Sequence, residues 1–290
     1  MNTVLIEEGP TSEPVMAQLV ELVINQHTKI LAMALKPDTS GIARLIGDNT
    51  SELIQLFPGE LTNFPLGAWV LDGDDTVLGS GASELILGNV GEDFLAGFAG
   101  DDSVFGGKGR DFMSGADGND CLSGGLDADF LLGETEDDSV GDDILFGGRG
   151  NDVLDGGGGD NTLAGGLGRD LLSCEFGANL CVLGIDPATT DINSTDAIVF
   201  FNPDFDRIGL ASGLTVNDIV LEPLENVTVT FRFDWPQALL QFVPPDLTRE
   251  NSGPLSGTLI RVRNSNAILG FVNDVTPNEL QSSIVSVQGF

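Results

Sequence analysis

The chain is short of the residues that most reactive sites are built from. Among 290 residues there is one histidine, and there are three cysteines. Cys121, Cys174 and Cys181 are odd in number and thinly spread, so they form no expected disulfide framework and no CxxC metal pattern. Positive charge is scarce as well: 12 Lys and Arg stand against 45 Asp and Glu, a formal charge of −33. Such a chain repels nucleic acid and anionic membrane surfaces and attracts cations. No apolar run reaches about 18 residues, so no membrane span is expected. The opening MNTVLIEEGP has neither a basic nor an apolar signal region, so an ordinary secretory leader is not expected either.

Catalytic signatures are missing in the same way. There is no HExxH, no GxSxG and no GxxxxGK[ST]. His27 falls in an apolar, helix-like stretch and reads as a surface or capping residue. Carboxylates could in principle supply a glycosidase pair, but acids with another explanation carry no such signal. The expectation is a protein that is not an enzyme.

What the chain does have is glycine, acid and a regular apolar column. Hydrophobic residues make up 41%, more than a chain of this charge usually carries, so something must offset the repulsion around a core. Three regions differ in composition. Residues 1–69 hold an amphipathic helix pattern, PVMAQLVELVINQHTKILAMAL (14–35), with Pro14 suited to a first turn. Residues 70–182 hold 27 of the 39 glycines, and 24 acids against four bases (Lys108, Arg110, Arg149, Arg169). Residues 183–290 are low in glycine and read as strands in DAIVFF, NVTVTFRF and the hairpin-like GTLIRVRNSNAILGFV, a β-rich C-terminal domain.

The middle region repeats every nine residues. Glycines 79, 88, 97, 106, 115, 124 and 133 keep the period, five extra residues enter within 134–143, and Gly147, Gly156 and Gly165 resume it. Counted from that glycine, the sixth position reads Asp75, Glu84, Asp93, Asp102, Asp111, Asp120, Asp129, Asp143, Asp152, Asn161, Asp170 and Asn179. The eighth reads Val77, Ile86, Leu95, Val104, Met113, Leu122, Leu131, Leu145, Leu154, Leu163, Leu172 and Cys181, all apolar. A flexible linker would not keep that column.

Glycines at positions 1, 2 and 4 allow a tight turn, which leaves positions 7–9 as a three-residue strand. Position 8 then faces inward and positions 7 and 9 face out. If each nonapeptide is a half-turn, two make a coil, and coils stack as parallel strands about 4.8 Å apart. Cys181 becomes a small core residue, Cys121 an outward one and Cys174 part of a turn, so no Cys174–Cys181 bridge is expected.

Stacking also aligns the sixth-position acids. Carboxylates about 5 Å apart repel by roughly 1 kcal/mol in water and by several at an effective dielectric near 20, and a column of them sums to a domain's stability. A divalent cation between neighbours reverses that sign. Carboxylate and carbonyl oxygens suit Ca²⁺, which takes six to eight ligands flexibly, better than Mg²⁺. Zn²⁺ and copper would want His or Cys.

The repeats GGKGRDFMS (106–114), GGRGNDVLD (147–155) and GGLGRDLLS (165–173) resemble those of the RTX (repeats-in-toxin, haemolysin-type calcium-binding) family. The segment 196–221 is similar to those that follow such rolls in cyanobacterial-type RTX proteins. The resemblance implies an all-β-dominated chain: a parallel β-roll of about twelve half-turns, a strand-rich C-terminal cap and a small N-terminal segment with a helix. It implies Ca²⁺ between successive coils on one edge. Each ion would take the sixth-position Asp and the second- and fourth-position carbonyls of one loop, then the Asp and the first- and third-position carbonyls of the loop a coil later. One site would use Gly107, Gly109 and Asp111 with Gly124, Leu126 and Asp129. A second would use Gly148, Gly150 and Asp152 with Gly165, Leu167 and Asp170. A third would use Gly125, Asp127 and Asp129 with Gly147, Arg149 and Asp152. Gly100 and Asp102 would join Gly115, Asp117 and Asp120, and Gly91 would serve Asp93.

Asp75, Asp93, Asp111, Asp129, Asp152 and Asp170 form one edge and promise five ions. Glu84, Asp102, Asp120, Asp143, Asn161 and Asn179 form the other, with two firm Asp–Asp pairs. About seven firm sites and up to nine in all are expected. Type I secretion from an uncleaved C-terminal signal is implied too. The expected role is an extracellular calcium-binding structural protein of surface, matrix or adhesive kind, with self-association or polysaccharide as partner. The alternative is an extracellular enzyme or accessory module acting on polysaccharide.

Overall fold

The computed structural model describes residues 36–37, 39, 44–64, 66–134, 141–184, 191, 194–211, 213–228, 254–263, 265 and 267–288. The helix pattern at 14–35, His27 and most of the five-residue insertion lie outside them.

Two sheets of 11 strands each face one another. The first runs through Leu45–Ile46, Ala68–Trp69, Leu85–Val90, Ser103–Lys108, Cys121–Leu126, Ile144–Arg149, Thr162–Leu167 and Leu180–Leu183. The second runs through Leu53–Gln55, Thr76–Ser80, Phe94–Ala99, Phe112–Asp117, Phe130–Leu132, Val153–Asp155 and Leu171–Ser173. Successive nonapeptides alternate between the sheets, so strands 18 residues apart pair in parallel, as Leu122 does with Val104 and Leu131 with Met113. The fold is a parallel β-roll. Across the insertion the spacing becomes 23, yet register holds: Leu122 pairs Leu145 and Leu131 pairs Leu154.

The eighth-position side chains fill the space between the sheets. All twelve, from Val77 to Cys181, are fully buried in one cluster. Fully burying such a side chain stabilises by about 1.5–3 kcal/mol, so this column is the roll's main apolar term.

Both sheets continue past the repeats. Asp196–Val199 follows Leu171–Ser173, and Arg207–Leu210 follows Leu180–Leu183, with Ile198 opposite Leu172 and Ile208 opposite Cys181. The second sheet then ends in antiparallel strands: Ile268–Asn273 and Pro254–Val262 form the hairpin expected from GTLIRVRNSNAILGFV, and Ile219–Thr228 closes it. A one-turn helix, Pro277–Leu280, carries a capping box from Thr276 and Glu279 and buries Leu280.

Three expectations change. Most strands in the repeats run six residues, through positions 7 to 3, because the ladder resumes beyond the first-position glycine, as Gly125 pairs with Gly107. Position 7 and 9 side chains face outward from both sheets, but only the first sheet exposes them. There Phe105 is 38% and Ile144 42% exposed, whereas Phe112, Phe130 and Val153 on the second sheet are 3%, 2% and 1%. Alternation fixes which way a side chain points and says nothing of what covers it. Finally, Cys174 and Cys181 are joined as a disulfide. Cys174 points into the core beside its partner from the facing sheet, and both are fully buried with Cα atoms 7.0 Å apart. Cys121 is free and half-buried on the first sheet's outer face.

Candidate metal centre

Each sixth-position residue closes a turn and begins a strand, and its backbone N–H donates to Oδ1 of the counterpart one coil later. Along one edge, Asp75 donates to Asp93 (2.8 Å), Asp93 to Asp111 (3.0 Å) and Asp111 to Asp129 (2.9 Å). Asp129 donates to Asp152 (2.8 Å) and Asp152 to Asp170 (2.9 Å). Along the other, Glu84 donates to Asp102 (2.7 Å), Asp102 to Asp120 (2.7 Å) and Asp120 to Asp143 (2.8 Å). The two columns are those the nonapeptide frame lays out, and the insertion does not break either.

The other carboxylate oxygen is the notable one. Oδ2 of Asp75, Asp93, Asp102, Asp111, Asp120, Asp129, Asp143 and Asp152 is buried, with no hydrogen-bond partner among the described residues. A buried charge left this way costs several kcal/mol. Burial accordingly lifts Asp75 to about 7, Asp93 and Asp120 to about 6, and Asp102, Asp111, Asp143 and Asp152 to about 8. Asp129 rises to about 9. The N–H bonds to Oδ1 pull downward, and neighbouring carboxylates push up again. These groups must bind either a proton or a cation.

Glycine makes room for the cation. A Cβ on Gly88, Gly133 or Gly147 would collide with Oδ2 of its own loop's Asp and also with the first-position carbonyl one coil on, from Gly106, Gly156 or Gly165. The space it would fill is therefore walled by a carboxylate oxygen and a carbonyl oxygen. Gly115, Gly124 and Gly165 likewise sit against Oδ2 of Asp120, Asp129 and Asp170.

The carbonyls expected as ligands lie along the turns between successive coils. Those of Gly91, Gly100, Gly107, Gly125, Asp127, Gly148 and Gly150 each abut a bare glycine Cα one coil later, where any side chain would cover them. Third-position carbonyls keep one bond in the ladder: Leu126 accepts from Gly109 (3.2 Å), Leu167 from Gly150 (2.9 Å) and Asp117 from Gly100 (2.8 Å). Each retains a second lone pair. Arg149 holds the same register between Leu126 and Leu167. No cluster of three or more His, Cys, Asp or Glu side chains that could hold a metal occurs among the described residues. A cation held here would draw on the column's carboxylates and on backbone carbonyl oxygens, a donor set that suits calcium.

Where the sixth position departs from Asp, the chain supplies its own partner. Glu84 turns back to accept from the Ser80 N–H (3.1 Å) and hydroxyl. Asn161 Nδ2 donates to the carbonyls of Gly158 (3.2 Å) and Gly159 (3.5 Å), and Asn179 Nδ2 to Phe176 (2.8 Å). An amide N–H₂ stands where a cation would draw the same carbonyls.

The glycine count missed three members. Asp170 donates to Asp196 (3.0 Å), Asn179 to Asp206 (2.8 Å), and Glu52 to Asp75 (2.7 Å), so each column runs on without glycines. The signal was the bare acid-x-aliphatic pattern in Glu52-Leu53-Ile54, Asp196-Ala197-Ile198 and Asp206-Arg207-Ile208. A second, exposed ladder also went unread. Fifth-position side chains accept backbone N–H groups from the next coil, as Asp74 does from Glu92 (2.9 Å) and Asp142 from Asp160 (2.9 Å).

Four segments match the RTX calcium-binding nonapeptide repeat: residues 69–95, 78–113, 96–131 and 137–172. No curated protein matches the chain. Among solved structures it is similar to the crystal structure of extracellular lipase LipA from Serratia marcescens, at 16% identity and a TM-score of 0.30. That match covers 81% of this chain and 44% of the lipase, so the chain spans less than half of that protein. Residues 69–131 and 137–172 are thus an array of RTX calcium-binding nonapeptide repeats, wound as a parallel β-roll.

Proposed function

We propose that this chain is a secreted structural protein of a cell surface or extracellular matrix, whose roll folds when it meets calcium outside the cell. The observation that carries this is the set of eight buried, unpartnered carboxylate oxygens in two columns, of which those of Asp93, Asp143 and Asp152 lie beside a first-position carbonyl that a glycine leaves bare. Five ions fit the Asp75 column and two the Asp102–Asp120–Asp143 steps. Glu84 offers a weak site; the Asp143–Asn161 step, where the Asn161 amide takes the cation's place, and the Asn161–Asn179 step offer none. Region 70–182 carries a net −20 without metal. It stays open where calcium is scarce, which suits export through a type I route, and closes by mass action where calcium is abundant.

A calcium titration followed by far-UV circular dichroism tests the folding step, and a β signal that survives excess EGTA would overturn it. Electron microscopy with and without calcium tests the structural role through ordered assemblies. A second reading has one observation behind it: a cleft of about 320 Å³ in the C-terminal part of the roll is lined by Glu225, Asp274 and Thr276. An enzyme or accessory module for polysaccharide would use that cleft, and loss of oligosaccharide binding in Glu225→Gln with Asp274→Asn would favour it.

A further inference from the structure

The turn that leads into Leu53–Gln55, residues 47–52, has a single glycine and lies ahead of every segment that matches the nonapeptide repeat. Its register is still that of the roll. The Glu52 N–H donates to Asp75 Oδ1 (2.7 Å) and the Asp74 N–H to Ser51 Oγ (3.1 Å), so both ladders of this edge reach it. Asn49 Nδ2 adds a bond to Asp72 Oδ2 (3.1 Å).

The space in this turn matches that of the repeats. A Cβ on Gly47 would collide with Glu52 Oε2 and meet the Val70 carbonyl of the next coil at 3.0 Å. Gly88 stands in the same relation to Asp93 Oδ2 and the Gly106 carbonyl. The Thr50 carbonyl abuts the bare Cα of Gly73, as the Gly91 carbonyl abuts that of Gly109.

Two glutamates thus stand at the sixth position, and they differ in what is left over. Glu84 spends both oxygens on Ser80. In place of Ser80 this turn has Asp48, which brings a second carboxylate and no hydroxyl donor. Glu52 Oε1 accepts from the Asp48 N–H (3.1 Å). Oε2, on a residue 6% exposed, has no hydrogen-bond partner among the described residues, and neither has Oδ2 of Asp75. Burial raises the Glu52 pKa and the Asp48 carboxylate adds to the rise, while the Asp48 N–H and the Lys36 charge offset part of it.

We propose that Glu52 and Asp75 hold a further calcium ion, with the Val70 and Thr50 carbonyls among its oxygen ligands, at a site ahead of the glycine-rich repeats. It is a sixth ion on the Asp75 edge, and it fastens Leu45–Ile46 and Leu53–Gln55 to the first coil of the roll. Strands of two and three residues carry few ladder bonds of their own, so the ion is what pins them. The inference rests on the calcium reading of the roll.

The test counts ions on the full chain by equilibrium dialysis, with terbium luminescence as a local readout. The chain has two tryptophans and no tyrosine. Trp69 directly precedes Val70, which places its indole within about 10 Å of the site. Trp235→Phe, used as the parent for every variant, removes the other indole. Glu52→Gln takes away the charge, and Gly47→Ala keeps every carboxylate but fills the space. Each is expected to lower the calcium count by one and to weaken Trp69-sensitised terbium emission several-fold. The far-UV β signal in calcium stays, because the pairs from Asp75 to Asp170 do not use Glu52. An unchanged ion count in both variants overturns the proposal and leaves the roll's own ions standing. A parent chain that takes up no calcium at all overturns both readings.

Discussion

Asn161→Asp should add a calcium ion to the roll. Asn161 is buried, accepts the Asp143 N–H through Oδ1 (2.8 Å) and spends its N–H₂ on the carbonyls of Gly158 and Gly159. The substitution keeps the first bond and turns the N–H₂ into an oxygen facing two oxygens. Without calcium the lost hydrogen bond costs about 1 kcal/mol. Leaving the new carboxylate buried and unpaired, or forcing it to take a proton, costs about 2 kcal/mol more. With calcium the Asp143 step becomes an Asp–Asp pair like Asp102–Asp120, and an ion held at about 1,000 times its Kd returns about 4 kcal/mol.

The two effects make the stability curves cross. The variant should be weaker than the parent at low calcium and at least as stable at high calcium, with a steeper folding transition. Equilibrium dialysis should count one more ion per chain, and Tm measured over a calcium series should show the crossing. Asn161→Ala is the control: it removes the hydrogen bonds, gains no ion and is weaker at every concentration. An unchanged ion count with lower Tm throughout would refute the idea that the amide stands in the cation's place.

Three other outcomes follow from the same geometry. Phe130→Ser should cost about 3 kcal/mol and Phe105→Ser under about 1 kcal/mol in urea melts with calcium present, because the first is 2% and the second 38% exposed. In calcium-free buffer, acid should favour the fold: Asp129 near 9 and its neighbours near 6 to 8 lie above the unfolded value of about 3.9, so the folded state holds more protons. That stability is present below about pH 4 and is lost as pH rises through 6 to 9. Added calcium should reverse the trend, since protons then compete with the metal. Both are read from circular dichroism at pH 5 and pH 8. Ala116→Gly should raise Tm slightly, by about 0.5 kcal/mol of stability, because Ala116 holds φ 72° where a Cβ is strained and the looser unfolded chain takes back part of the relief.

The roll was legible because its period is short and local. Nine residues fix the turn, the acid and the inward aliphatic together, so the eighth-position column and the two Asp columns could be laid out from the sequence. The ends were less legible: Asp196 and Asp206 continue the columns without the glycines that announce the frame. The disulfide was not legible, because a turn residue's direction depends on where the last coil stops. Cys174 lies at that stop, its N–H already bonded to Val199 of the incoming strand (3.1 Å).

The buried outer face is the instructive miss, because the sequence did contain it at a period of eighteen. Taken nine by nine, position 7 is a mixture of aromatic, aliphatic and polar residues and suggests a uniform outside. Separated by sheet, one set is Thr76, Phe94, Phe112, Phe130, Val153 and Leu171, and the other is Leu85, Ser103, Cys121, Ile144, Thr162 and Leu180. Three consecutive phenylalanines on one side and a serine and a cysteine among their counterparts are not the composition of one solvated surface. A coil of two unlike halves has two unlike faces, and its true repeat is the whole coil. The half-turn accounts for calcium, since each edge needs its own loop. Only the full turn accounts for what the roll packs against.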